Sequence, residues 1–293
     1  MGRNCLSAIH WIFGGRYMEV FLAESLGFCY GVKRAIKLAR EQAAPDGTSC
    51  TLGPIIHNPQ MVSRLAEEGV GMVNALPDME KGTVIIRSHG VGPLVYDEAK
   101  ERGLSLVDAT CPHVKKAQST AHELFQEGYS VVIVGEKLHP EVKSIFEWAG
   151  GDAVIVDSVE GAEAVAPCAR LGIVAQTTFS GAKFKEIVLH LLDKSNDVRI
   201  VRTICTATDQ RQEAAVKLAR QVDLMLVIGG KNSANTTRLA QLCAKECQTY
   251  HIETAAELRD EWFDKIKKIG ITAGASTPDW IIKEVYQKCK NRT

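Results

Sequence analysis

The sequence predicts an α/β fold of three pseudo-equivalent domains, each with a mostly parallel four-stranded sheet. Three observations predict it. A unit of strand, cysteine, helix, strand and polar residue occurs three times, with its cysteines at Cys29, Cys111 and Cys205. The first spacing is the same in every copy: His57, His139 and Ser233 each stand 28 positions after their cysteine. Each copy then ends an apolar, β-branched run at a second polar residue, His89, Thr177 or Ser276. Alternating strands and helices give parallel sheets, and a recurring period gives repeated supersecondary units.

The elements follow in order. Residues 1–17 do not match the repeat and lack a signal-type apolar run with a cleavage site. Gly14-Gly15-Arg16 can be back-translated to include a ribosome-binding sequence just before the Met18 codon, so residues 1–17 read as an over-extended frame. Unit one spans residues 18–107, and its first strand is open to packing with unit three. Val20–Ala23 is that strand, Cys29 sits among Gly27-Phe28-Cys29-Tyr30-Gly31, and Val32–Gln42 is helical. Glycines at such a turn let the backbone approach something bulky. Ile55-Ile56-His57-Asn58-Pro59 repeats the strand-end, helix-start pattern, with proline at a first helical position.

Unit two spans residues 108–197. Leu104–Val107 is a strand leading to Asp108-Ala109-Thr110-Cys111-Pro112, His113–Gln126 is helical, and Ser130–Val134 is a strand by its β-branched content. His139-Pro140-Glu141 then begins a helix. Unit three spans residues 198–293. Val198–Val201 precedes Cys205, a helix covers about Asp209–Gln221, and the strand Leu224–Ile228 leads to Lys231-Asn232-Ser233-Ala234-Asn235.

In a parallel α/β sheet, the edge where strands end and helices begin is the ligand-binding edge. All three repeat cysteines fall there, with His57, His89, His139, Thr177, Ser233, Asn235 and Ser276. A cysteine near a helix N-terminus is favoured as thiolate. Three such thiolates suit zinc with an open site, or three irons of a cubane cluster, and spacing alone leaves both open. The other named cysteines, Cys50, Cys168, Cys243, Cys247 and Cys289, read as ordinary buried residues. His57, His89, Ser233, Asn235 and Ser276 together form a ring of donors beside helix N-termini, suited to a phosphate or diphosphate. Singly, each is better explained as a cap or turn residue. Glu141 alone reads as a first-turn carboxylate complementing the helix dipole, or else as a proton-delivering acid.

Bulk composition excludes several classes. The chain has 293 residues, 45% hydrophobic and 24% charged, with a net charge of zero. That balance gives no support to nucleic-acid or membrane-surface binding. No apolar run approaches the roughly 20 residues of a spanning helix. Nine cysteines, an odd number, argue for a reducing compartment, the cytoplasm, rather than a disulfide framework. There is no Walker motif and no Gly-x-Gly-x-x-Gly after a strand, so a mononucleotide or NAD site is not supported.

The motifs taken together resemble the LytB family of 4-hydroxy-3-methylbut-2-enyl diphosphate reductases. The resemblance is carried by Gly27–Val32 with Arg34-Ala35-Ile36, His57-Asn58, Ser88-His89-Gly90, Asp108–Pro112, His139-Pro140-Glu141, Gln176-Thr177-Thr178, Lys231-Asn232-Ser233 and Gly274-Ala275-Ser276, in order from Met18 to about residue 290. It implies three domains arranged around a central cluster. It also implies reductive removal of the hydroxyl of (E)-4-hydroxy-3-methylbut-2-enyl diphosphate. The products are isopentenyl and dimethylallyl diphosphates, in the last step of the methylerythritol phosphate route to isoprenoids. The implied cofactor is one 4Fe-4S cluster on Cys29, Cys111 and Cys205, with an open fourth iron. Diphosphate binding is implied for His57, His89, His139, Ser233, Ala234, Asn235 and Ser276, and proton delivery for Glu141 and Thr177, with His139 close by. The electrons come from an external donor, ferredoxin or flavodoxin by the family's pattern. Many relatives have Ser-Ser-Asn where this chain has Ser233-Ala234-Asn235, so one hydroxyl contact is absent at Ala234. Two alternatives remain: a non-catalytic Fe–S or zinc redox sensor, which needs the cysteines but not the donor ring, and a related three-domain Fe–S enzyme acting on another small anion.

Overall fold

The computed structural model describes residues 18–291, so the expectation for residues 1–17 lies outside the described residues. The chain alternates strands and helices. In order they are β1 (Glu19–Leu22), α1 (Tyr30–Glu41), β2 (Ser49–Leu52), α2 (Pro59–Glu67), β3 (Gly71–Val73), β4 (Thr83–Ile86), α3 (Pro93–Glu101), β5 (Ser105–Asp108), α4 (Pro112–Gln126), β6 (Ser130–Val134) and α5 (Pro140–Trp148). There follow β7 (Val154–Val156), α6 (Val159–Glu163), β8 (Arg170–Ala175), α7 (Gly181–Leu191), β9 (Asp197–Ile200), α8 (Thr206–Ala219), β10 (Leu224–Ile228), α9 (Ala234–Cys243), β11 (Gln248–Ile252), β12 (Lys268–Ala273) and α10 (Asp279–Lys290).

The strands form three four-stranded sheets, ordered β3-β2-β4-β5, β7-β6-β8-β9 and β1-β12-β10-β11. Every strand pair is parallel. Their central strands are apolar on both faces, as parallel sheets covered by helices require: Leu224–Ile228 is buried throughout. Four helices, α2, α3, α4 and α5, begin with proline, whose missing N–H has no helical partner at that position anyway.

Sheet membership differs from the repeat boundaries by one strand. Asp197–Ile200 closes the second sheet beside β8, although Val198 was expected to open the third unit. The reason is the right-handed crossover: a helix returning from β8 lays the next strand on the same sheet. β1 pairs with β12 in the third sheet, Glu19 opposite Lys268 and Leu22 opposite Ile271. The described chain divides into two compact units, one running Phe28–Gln210 and the other joining the stretch before Phe28 to the stretch from Arg211 onward. The first holds two sheets and the second holds the third.

Candidate active site

Within the Phe28–Gln210 unit, all three repeat cysteines stand at helix starts. Cys29 is the N-cap of α1, Cys111 the N-cap of α4, and Cys205 directly precedes α8. All three are partly buried, and none forms a disulfide. The Asp108–Pro112 loop is built around one carboxylate. Asp108 Oδ1 accepts from the Thr110 N–H at 2.8 Å, and Oδ2 accepts from Tyr96 Oη at 3.0 Å and pairs with Lys115 Nζ at 2.6 Å. Arg34 of α1 donates to the carbonyls of Thr110 (3.1 Å) and Asp108 (3.3 Å), fastening the helix of Cys29 to the loop of Cys111.

Gly31 lets the two come close. A Cβ on Gly31 would fall on Cys111 Sγ, far inside van der Waals contact. Burial pushes the Cys111 thiol up to about 11, while the N–H groups of His113 and Val114 pull it down and Cys29 and Glu141 push it further up. Cys29 and Glu141 are therefore both electrostatic neighbours of this sulfur. The Cys205 N–H donates to the Thr177 carbonyl at 2.9 Å, as the Cys111 N–H donates to that of Ser88.

Glu141 lies in the first turn of α5 and is only 2% exposed. Thr177 donates to it twice, from its N–H to Oε1 at 2.6 Å and from its hydroxyl to Oε2 at 3.0 Å. Burial raises this carboxyl to about 7, against the lowering effect of both Thr177 bonds. A carboxylate that merely complemented a helix dipole would remain in water. Thr177 thus joins the acid to the loop that carries Cys205.

His57, His89 and His139 form a cluster. Ring centroids are 4.4 Å apart for His57–His89, 5.4 Å for His57–His139 and 5.5 Å for His89–His139. One ring nitrogen from each lies within 4.8 Å of the others. Ser88 holds two of their loops together, its N–H and hydroxyl both donating to the Ile55 carbonyl. His139 caps α5, its Nδ1 accepting from the Glu141 N–H at 3.2 Å. An accepting Nδ1 leaves Nε2 as the N–H donor. His89 Nδ1 is buried with no hydrogen-bond partner. Burial drives His139 down to about 3, with help from His57 and Arg87. His89 is lowered well below its ordinary value by burial, then by His57, His139 and Arg87. His57 is lowered by burial and Arg87. At neutral pH all three are uncharged donors.

Arg87 is the residue that sequence reading missed. It stands two positions before His89, and only the Ser88-His89-Gly90 motif that follows it drew notice.

The other unit carries the remaining candidates. Ser233 caps α9, and Asn235 lies in the first turn; both are buried. Ala234 begins the helix between them. Both side-chain polar atoms of Asn235 are buried without a partner. Ser276, also buried, follows β12, the strand beside β10. The Gly274 N–H donates to the Ile228 carbonyl at 2.9 Å, so the loops of Ser233 and Ser276 share one sheet edge.

Comparison with known proteins shows the family. The sequence pattern of the LytB protein family matches residues 20–290. The chain is 49% identical over 274 residues to 4-hydroxy-3-methylbut-2-enyl diphosphate reductase of Geobacter metallireducens, covering 93% of this chain and 97% of that protein. It is similar to a solved structure of (E)-4-hydroxy-3-methyl-but-2-enyl diphosphate reductase, described as the terminal enzyme of the non-mevalonate pathway. The identity is 45% and the TM-score 0.69, over 93% of this chain and 99% of that one. It is also similar to the E-1-hydroxy-2-methyl-but-2-enyl-4-diphosphate reductase of Plasmodium falciparum, at 27% identity and TM-score 0.86, over 94% of this chain and 88% of that one. Matched along nearly its whole described length, in sequence and in fold, the chain belongs to the LytB family.

Proposed function

We propose that this chain reduces (E)-4-hydroxy-3-methylbut-2-enyl diphosphate to isopentenyl and dimethylallyl diphosphates, the closing step of the non-mevalonate route to isoprenoids. The carrying observation is Glu141: a buried carboxyl raised to about 7, bonded twice to Thr177 and acting on the Cys111 sulfur. An acid near neutrality beside the Cys111 and Cys29 sulfurs is what a reductive dehydroxylation needs, because the hydroxyl leaves as water once it is protonated.

The residues fit the family's iron–sulfur cluster. Cys29, Cys111 and Cys205 stand at helix N-termini outside any disulfide, and the N–H groups of His113 and Val114 are directed at the Cys111 sulfur. Such N–H···S bonds stabilise cluster sulfurs. The three cysteines would hold a 4Fe-4S cluster with one iron open. When bound, the cluster supplies reducing equivalents and Lewis acidity. The reaction consumes two electrons and two protons, and the hydroxyl departs as water. No flavin or nicotinamide motif is present in the sequence, so the electrons come from an external donor, ferredoxin or flavodoxin.

The chain's own residues do the rest. Glu141 delivers a proton through Thr177 Oγ1, whose hydroxyl can accept from one group while donating to the next. His57, His89 and His139 donate N–H groups to the diphosphate, and His139 is held in the donating tautomer by its cap. Ser233, Asn235 and Ser276 add donors, with the Ala234 backbone N–H in place of a hydroxyl. The diphosphate supplies remote binding energy that positions the carbon skeleton. The proposed setting is the cytoplasm; among the described residues no helix is long and apolar enough to cross a membrane.

Anaerobic turnover of the allylic diphosphate with a one-electron reductant tests the reading. The expected protein is coloured and iron-loaded and releases both products. A colourless protein holding stoichiometric zinc and inert towards this substrate would overturn it.

A further inference from the structure

His57, His89 and His139 have the spacing of a metal site, with one nitrogen from each within 4.8 Å of the others. Three neutral imidazoles serve a divalent cation as readily as an anion. The surroundings decide between them, and the deciding residue is Arg87.

Arg87 directly follows β4 and precedes the Ser88-His89 turn, which its carbonyl closes by accepting from the Gly90 N–H at 3.0 Å. Its side chain reaches across to the loop after β2. A Cβ on Gly53 would come within 2.5 Å of Arg87 Nη1, so the guanidinium lies in the space that a side chain at Gly53 would fill. Gly53 has φ +71°, a left-handed conformation suited to glycine, and begins the loop that leads to His57. The guanidinium therefore lies between the loop of His57 and the loop of His89. Among the described residues it has no ion-pair partner, and its Nε is buried without a hydrogen-bond partner. Glu147, at the far end of the helix that His139 caps, acts on it electrostatically but does not pair with it.

An unpaired, largely buried guanidinium is costly to keep. It also repels a second cation, which argues against a metal at the histidines. A multiply charged anion at the same place removes both difficulties. Resting on the diphosphate reading above, we propose that Arg87 is the charge partner of the bound diphosphate. The neutral histidines give direction through N–H donors, and Arg87 gives the positive charge. The site thereby favours a diphosphate over a monophosphate and over a divalent metal. Arg87 is absent from the ligand set that the motifs imply.

The test measures inorganic diphosphate binding to the anaerobic, cluster-loaded protein by calorimetry, with inorganic phosphate and zinc as comparison probes. Arg87→Gln is expected to weaken diphosphate binding about 10- to 100-fold, the range for a charge-assisted hydrogen bond. It should raise KM for the allylic substrate more than it lowers kcat, flatten the salt dependence of binding and leave the visible spectrum unchanged. Arg87→Lys should recover part of the loss, since it keeps the charge without the fork. Glu147→Gln removes the opposing carboxylate without touching the site and should tighten diphosphate binding several-fold, which keeps the test alive if Arg87→Gln folds poorly. Unchanged diphosphate affinity in Arg87→Gln or Glu147→Gln would overturn the proposal. So would zinc binding tighter than diphosphate in the parent protein. His89→Asn separates the two readings: if it loses diphosphate binding while Arg87→Gln does not, only the role of Arg87 fails. If both bind normally, the histidine site itself is wrong.

Discussion

Thr177 grips the Glu141 carboxylate with two donors, its N–H at 2.6 Å from Oε1 and its hydroxyl at 3.0 Å from Oε2. The grip suits the ionised acid. When Glu141 carries a proton, one oxygen becomes a donor and the Thr177 hydroxyl must turn, offering its own hydrogen elsewhere. A loaded acid and a reoriented hydroxyl are therefore one event.

Glu141→Gln keeps this shape and removes the transferable proton. Turnover is expected to fall at least about a hundredfold, with the cluster spectrum intact. In the parent, the rate should decline as pH rises through about 7, because the donor is then ionised. The same carboxyl makes a second, separable prediction. Its folded value lies above its unfolded one, so its stabilising contribution is present below about 4.5 and lost as pH rises to about 7. Glu141→Gln should therefore be more stable than the parent at pH 8, by an amount on the order of 3 kcal/mol. A stability difference between Glu141→Gln and the parent that is the same in urea melts at pH 5 and at pH 8 would refute the burial argument.

Gly31→Ala tests the cysteine geometry without removing a ligand. In an isolated helix this change is favourable by about 1 kcal/mol. Here the new methyl falls on Cys111 Sγ. Iron content after anaerobic reconstitution should drop towards that of Cys29→Ser, Cys111→Ser or Cys205→Ser. Cys50→Ser and Cys168→Ser should stay iron-loaded.

The histidine cluster predicts acid sensitivity. His139 is held down to about 3 and His89 well below its ordinary value, chiefly by burial. As pH falls below about 6.5 the unfolded chain takes up protons that the folded one refuses, so stability is full above that value and lost on acidification. His139→Asn keeps a good N-cap for α5. Between pH 6 and pH 4 it should reduce the slope of unfolding free energy by about 1.4 kcal/mol per pH unit. An unchanged slope would mean that the ring titrates in the folded state.

Asn235→Ala removes two orphaned polar atoms from the α9 edge. KM for the allylic diphosphate is expected to rise about tenfold with the spectrum unchanged, as for a lost hydrogen bond to a charged group. The empty protein should lose little stability, since those atoms are unsatisfied without ligand. A variant with unchanged KM but lower stability would make Asn235 structural.

Much of the candidate site was legible because its residues sit where strands end and helices begin. Cys29, Cys111, His57, His139 and Ser233 declare themselves by spacing from one another and by the prolines, glycines and cap residues around them. The burial of Glu141 was not legible, since it depends on Thr177, 36 positions away. First-turn position alone favoured a solvated carboxylate. Arg87 was hidden for the same reason: only the paired geometry of β2 and β4 brings Gly53 beside it. Asp197–Ile200 resembles the opening of the third repeat, and no local signal says that it joins the second sheet instead.

The parallel pairing of β1 with β12 has a consequence for how the molecule is made. On the ribosome β1 emerges before any other described strand, and its one neighbour among the described strands emerges after all of them. The other two sheets can close on strands already synthesised. The third stays two strands short until Lys268–Ala273 appears, and β12 then offers an open edge of unpaired N–H and C=O groups until β1 docks. Loop closure over that length adds little to the equilibrium cost, because the cost grows only logarithmically, but it delays the contact. The nascent chain thus carries its last-needed strand from the start, and a bulky fusion placed against Glu19 would obstruct the final step of folding rather than the first.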